Sequence, residues 1–205
     1  MRLRLFLALI LLTFFVNPVF AAKPTPPPPI PYSVCVDAGH GGNDIGTENQ
    51  ELTEKEINLQ VAQLLKEKLE TVGYTVFMTR TDDSTLSNAD RYNFCNAQTA
   101  AILISIHHNG SSSSAVDYSQ ALYMKKSDVA LAQEVVNTVS TSLGIPSQGI
   151  SRFASGVLLK AKMPATISEG FFLTNSTEYS LIKNNNRLEQ EAEALSAAVQ
   201  NYFDN

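Results

Sequence analysis

From Tyr32 onward the chain alternates short apolar runs with longer segments whose apolar residues recur at helical spacing, and this alternation constrains the fold more than anything else in it. Residues 34–36 and 102–106 are continuous apolar runs of strand length, the pattern of strands covered on both faces. Between them Ile57, Val61, Leu64, Leu65, Leu69 and Val72 mark one face of a helix that Gly73 stops, and 74–79 reads as a strand. Thr53-Glu54-Lys55-Glu56 and Ser87-Asn88-Ala89-Asp90 are capping boxes for this helix and for a shorter one carrying Tyr92, Phe94 and Cys95. Two more amphipathic helices span 128–143, ended by Gly144, and 187–203. Short strands near 120–124, 157–159 and 165–168 bring the total to about six. The pattern predicts a single α/β domain: a mostly parallel, about six-stranded sheet with helices on both faces and right-handed crossovers. No internal repeat, heptad seam or phosphate-cradling glycine loop interrupts it.

The front of the chain has a different character. Arg2 and Arg4 precede an apolar run at 5–16, and Val19-Phe20-Ala21 supplies the small residues of a signal-peptidase site, so 1–21 reads as an export signal. The run is shorter than the about 20 apolar residues a spanning helix needs, and no stable membrane anchor is expected after cleavage. Residues 22–32 are proline-rich and read as a polyproline spacer, which leaves 33–205 as the folded domain. Cleavage removes Arg2 and Arg4, taking the formal charge from −5 to −7. An acidic chain without a basic cluster argues against nucleic acid or anionic membrane as the partner. The two cysteines, Cys35 and Cys95, permit one disulfide in an exported chain. Their places in a strand and late in a helix favour two small buried apolar side chains instead.

All three histidines stand where an apolar run gives way to Gly, Asn or Ser: His40 in Val36-Asp37-Ala38-Gly39-His40-Gly41-Gly42, and His107 and His108 in Ser105-Ile106-His107-His108-Asn109. In open α/β sheets, strand exits are where ligands bind. Histidine shared between two of them points to a metal or acid/base site. A hydrolytic zinc site takes three protein ligands, and Glu54 is the candidate third, because it opens the first long helix just after the loop that follows His40. Glu56 already fills the capping-box position and leaves Glu54 unexplained by capping. Glu169 follows an apolar strand and precedes Phe171 and Phe172, a costly place for an unused carboxylate, and a general base is its natural use.

These residues resemble the zinc-dependent N-acetylmuramoyl-L-alanine amidases of the amidase-3 type, which cut bacterial peptidoglycan between glycan and stem peptide. The resemblance runs from about Ser33 to Phe203. It rests on the His40 and His107 segments, on Glu54-Lys55-Glu56-Ile57-Asn58-Leu59, on Thr79-Arg80, on Arg91 with Asn96, and on Pro164-Ala165 leading to Glu169 and Phe172-Leu173-Thr174-Asn175. It implies Zn2+ held by His40, Glu54 and His107, with Glu169 as catalytic carboxylate and peptidoglycan as substrate. His108 is no ligand in this reading, since neighbouring strand residues point to opposite faces. The chain departs from the family in Gly170-Phe171-Phe172, where an apolar residue and then glycine usually separate the glutamate from Phe. It departs again in Ala100-Ala101, where an Asp usually precedes the second histidine strand.

The implied mechanism has Glu169 take a proton from a zinc-activated water and hand it to the leaving amine, with Asn109 as candidate donor to the oxyanion. In family members that are held inactive, the resemblance suggests an extra helix between the second histidine and the catalytic glutamate. Here only 62 residues separate His107 from Glu169, and they are already used by strands and a helix, so an open site needing no activator is expected. An exported zinc peptidase acting on stem peptides and a non-catalytic wall-binding domain are the alternatives. The first would share the ligands, and the second would have lost one of the four positions, all of which are present.

Overall fold

The computed structural model describes residues 27–205; the expected export signal at 1–21 and the front of the expected spacer, 22–26, lie outside the described residues. The elements run β1 (Ile30–Ala38), β2 (Glu48–Asn49), β3 (Leu52–Thr53), α1 (Glu54–Thr71), β4 (Thr75–Met78), α2 (Asn88–Gln98) and β5 (Ala100–Asn109). They continue with β6 (Ser119–Tyr123), α3 (Val129–Leu143), β7 (Ser147–Arg152), α4 (Gly156–Lys160), β8 (Ala165–Phe172), α5 (Ser176–Asn184) and α6 (Arg187–Asp204).

Six strands form one sheet in the order β4-β1-β5-β8-β6-β7, and every pairing is parallel except that of β6 with β8. The sheet is covered on both faces, and the alternation of strand side chains decides what meets which cover. Val34 and Val36 of β1 and Ile102, Ile104 and Ile106 of β5 pack with the apolar faces of α1, α3 and α6. Cys35 and Leu103 point the other way, toward α4 and the α2 residue Cys95. The single α/β domain expected from the alternation is therefore what forms, with strands fully buried because both faces are used.

Several local expectations need correction. Cys35 and Cys95 are bonded to each other, with Cα atoms 5.6 Å apart, because α2 lies directly on the Cys35 face of β1. The apolar triplet near 157–159 is the short helix α4, whose Ser155 hydroxyl accepts the Val157 N–H. The sixth strand is β7, which has little apolar residue to announce it and is held at the sheet edge by parallel pairing with β6. β1 begins at Ile30, where its N–H bonds to Thr99 O, so it takes three residues from the segment read as spacer. The box at Ser87 forms in full, but the one at Thr53 does not: its hydroxyl meets the Glu56 carboxylate at 2.8 Å, and the Glu54 and Lys55 N–H groups bond instead to Thr47 O and Ile45 O. A loop has taken over the cap of α1, which ties that loop to the start of the helix.

Candidate active site

At the carboxyl end of β1 the backbone is bent by force of its neighbours. His40 has φ +58, a left-handed conformation that costs a non-glycine residue about 1–3 kcal/mol. Two buried arginines hold it there. Arg80 donates to Ala38 O and Gly39 O, and Arg91 donates to Ala38 O and, at 2.7 Å, to His40 O. Arg91 is itself fixed by Asp37 at 2.8 Å. Burial alone would raise the Asp37 carboxyl, but Arg91 and the hydroxyls of Ser105 and Thr79 hold it below the usual carboxylate range. The two arginines, which enter the sequence pattern only as motif residues, thus build the turn that presents His40.

His40, Glu54 and His107 come together, with one ligand atom from each all within 4.8 Å of one another. His40 Nε2 stands 3.0 Å and His107 Nδ1 3.1 Å from the same oxygen of Glu54. The approach is close enough that glycine is required beside it: a Cβ on Gly39 would lie 2.3 Å from His107 Nε2, and one on Gly46 2.5 Å from Glu54 Oε2. Glu54 is 3 % exposed, and its oxygens accept the N–H of Thr47 at 2.8 Å and of His108 at 3.2 Å. Burial opposes its charge, but the imidazoles of His107 and His40 hold it well below the ordinary range. On His40, burial pushes the imidazole down while Glu54 and Asp44 more than offset it, so its pKa is raised.

This donor set fits a divalent cation. Among the described residues Glu54 forms no ion pair with lysine or arginine, so beyond neutral N–H donors this buried carboxylate meets only two imidazoles. His40 Nδ1 is buried without an aligned hydrogen-bond partner, although Asp44 Oδ1 stands 2.9 Å away. Two imidazoles and a carboxylate are also a common catalytic zinc set. A second carboxylate, Glu169, lies on the neighbouring strand, its Cα paired in register with that of His107. Burial raises its pKa, with the nearby Glu54 charge adding to the effect and His107 opposing it. A cation held by His40, Glu54 and His107 would relieve that repulsion.

Strand alternation places the rest. Leu103, Ser105 and His107 share the α2 and α4 face of β5, and Ile167 and Glu169 share that face of β8, so both catalytic candidates open into one cavity of about 640 Å³. The cavity also takes in Asp44, Asn109, Gln120, Phe153 and Val157. His108 faces the other way, as expected, and is 1 % exposed between α1 and α6. Asn109 lines the cavity with its side-chain oxygen already accepting the Gly110 N–H. β8 runs on to Phe172, so Glu169 sits within the strand instead of at its exit. The register slips just beyond it, a step of two residues on β5 (His107 to Asn109) facing a step of three on β8 (Glu169 to Phe172), and this bulge turns Phe171 to the opposite face from Glu169.

The fold and cluster meet a family match over nearly the whole domain: the model described as N-acetylmuramoyl-L-alanine amidase, Amidase_3, covers residues 34–201. The chain belongs to this family. Among curated relatives of this amidase, the uncharacterized protein YqiI of Bacillus subtilis (strain 168) is 30% identical over 175 residues, with 84% of this chain and 85% of that protein covered. N-acetylmuramoyl-L-alanine amidase LytC of the same strain is 28% identical, over 86% of this chain but 36% of LytC, so the chain spans about a third of that relative's length. A solved N-acetylmuramoyl-L-alanine amidase from Clostridium difficile 630 superposes with a TM-score of 0.79 at 36% identity, covering 84% of this chain and 97% of that one. The amidase-3 resemblance and the enzyme class it implied are thereby met.

Reading from the sequence assigned Asn58 no role beyond its motif and missed Glu191; both back the candidate ligands. Asn58 stands one helical turn after Glu54 on α1, a spacing that puts both on one face. Glu191 is a carboxylate on the buried face of α6, beside Ala192 and Leu195. A charge on an apolar stripe was the signal for it.

Proposed function

We propose that this amidase is exported and hydrolyses the amide bond between N-acetylmuramic acid and the L-alanine of the peptidoglycan stem peptide, with zinc held by His40, Glu54 and His107 and with Glu169 as proton carrier. The observation that carries the reading is the meeting of two imidazole nitrogens on one buried Glu54 oxygen, with Glu169 beside them on the next strand. Zinc bound there would supply Lewis acidity, lowering the pKa of water toward about 7 and polarising the scissile carbonyl. The chain's own residues supply the rest. Glu169, whose pKa is raised by burial, takes the proton of the attacking water and returns it to the nitrogen of the leaving L-alanine. Glu54 stays ionised under the same conditions and does not compete for that proton. Arg80 and Arg91 keep His40 in its left-handed turn, so the ligand does not relax out of reach.

Two observations support export and an unplugged site. The Cys35–Cys95 disulfide belongs to an oxidising compartment. The helices between His107 and Glu169 are committed elsewhere, α3 to the core with α6 and α4 to the cavity wall, while 22 % of each ligand histidine's side chain is open to solvent. The test is lysis of purified cell walls by the chain alone. Loss of activity with a chelator and its return on adding zinc supports the reading; lysis indifferent to chelator refutes it.

A further inference from the structure

We propose that Glu191 is a positioning residue for the metal centre, acting through His108 and Asn58 on the ligands and through Gly170 on the strand that carries Glu169. The proposal rests on the zinc reading above. Glu191 is wholly buried on the apolar face of α6, and its only ion-pair partner among the described residues is His108, whose Nε2 lies 2.8 Å from Oε2. Its other oxygen has no hydrogen-bond partner. That oxygen lies over β8: a Cβ at Gly170 would lie 2.0 Å from Oε1, so a larger residue after Glu169 would displace the carboxylate that α6 seats there.

His108 passes the contact on. Asn58 donates its amide to Gly39 O at 3.1 Å and to Glu54 Oε1 at 3.4 Å. Both are acceptors only, so the Asn58 oxygen must face His108, and His108 Nδ1 donates to it at 2.7 Å. His108 Nε2 in turn stands 2.8 Å from Glu191 Oε2. One buried chain therefore runs from Glu191 through His108 and Asn58 to the ligand Glu54 and to the carbonyl preceding the ligand His40. His108 also follows the ligand His107 directly on β5, and its ring packs on Phe171 at 4.3 Å. Glu191 thus lies against both strands that carry the chemistry, beside the neighbour of His107 on one and the neighbour of Glu169 on the other.

Stability gives no reason for this arrangement. A buried ion pair is often matched by apolar residues of similar volume, and here one oxygen is left unpaired as well. What the pair does provide is orientation, because polar groups behind metal ligands fix where those ligands point, and their removal typically costs 10–100-fold in metal affinity or activity.

The experiment measures zinc affinity of the purified chain by chelator competition, well below the melting temperature of each variant, with thermal melts alongside. Glu191→Ala and the shape-preserving Glu191→Met are expected to weaken zinc binding about 10- to 100-fold. Glu191→Gln, which keeps an acceptor for His108, is expected to recover most of that loss. Should the alanine variant not fold, the methionine variant decides. A Met variant that binds zinc as tightly as the parent overturns the positioning role, however its melting temperature moves, and so does a Gln variant no better than Met. A parent chain that binds no zinc overturns the zinc reading itself, a distinct result.

Discussion

Replacing both cysteines by alanine removes the cross-link between β1 and α2, and the size of the effect can be worked out. The bond joins residues 60 apart in sequence. For a loop of that length the chain-entropy relation gives about 14 cal/mol/K, or about 4 kcal/mol at 25 °C. At about 2.1 cal/mol/K of unfolding entropy per residue over residues 30–205, that loss lowers the melting temperature by about 11 °C. Both cysteines are fully buried, so reductant added to the folded protein is expected to leave the bond intact, and the comparison must use the Cys35→Ala/Cys95→Ala variant. Cys95 stands one helical turn after Arg91 on α2. The bond therefore pins the helix that carries Arg91 to the strand that ends at His40, but Arg91 keeps its own bonds to Asp37, Ala38 O and His40 O. The variant should accordingly melt early yet retain most of its lytic activity at 20 °C. Thermal unfolding followed by circular dichroism measures the shift, and a double variant melting within about 3 °C of the parent would refute the loop-entropy reasoning.

Three further predictions concern the site. Gly39→Ala drives a methyl group onto His107 and is expected to lower zinc affinity by about tenfold or more, read by chelator competition; unchanged affinity would mean that His107 is not where it is needed. Glu169→Gln should abolish lysis of purified cell wall while zinc content per chain stays at the parent value, and retained lysis would remove Glu169 from its role. The Asp37 carboxyl is held below its unfolded value of about 3.9, so the stability it contributes is present above that pH and is lost as pH falls through the lower folded value. The melting-temperature advantage of the parent over Asp37→Asn should then be constant from pH 7 to 5 and shrink below about pH 4, and an advantage unchanged at pH 2.5 would contradict the assignment.

How much of this was legible in the sequence depended on whether local pattern or tertiary pairing decided each element. The strands ending near His40 and His107 were readable because burial on both faces leaves continuous apolar runs, and α3 and α6 because their apolar faces are long. β7 has no such signature: Ser147–Arg152 is an edge strand made by its pairing with β6. The triplet at 157–159 is too short for periodicity to separate strand from helix, and the Ser155 cap settled it. α5 was missed although Asn175, with Glu178 three residues on, spells an N-terminal cap, and Asn175 does accept the N–H groups of Thr177 and Glu178. In the site, the two-residue alternation of a strand is enough by itself to separate His107 from His108 on β5. What could not be read was the support: Arg80 and Arg91 on the carbonyls of one turn, and Glu191 arriving from α6 some 80 residues after His108, are products of three-dimensional packing.

The central claim is that a zinc-held site in this chain cuts the bond between N-acetylmuramic acid and L-alanine. Its most direct test is mass spectrometry of purified peptidoglycan digested by the chain with zinc and, in parallel, with a chelator. Release of intact stem peptides bearing a free N-terminal L-alanine, only in the zinc arm, is the predicted result. Fragments cut within the stem peptide, or identical products in both arms, would contradict it.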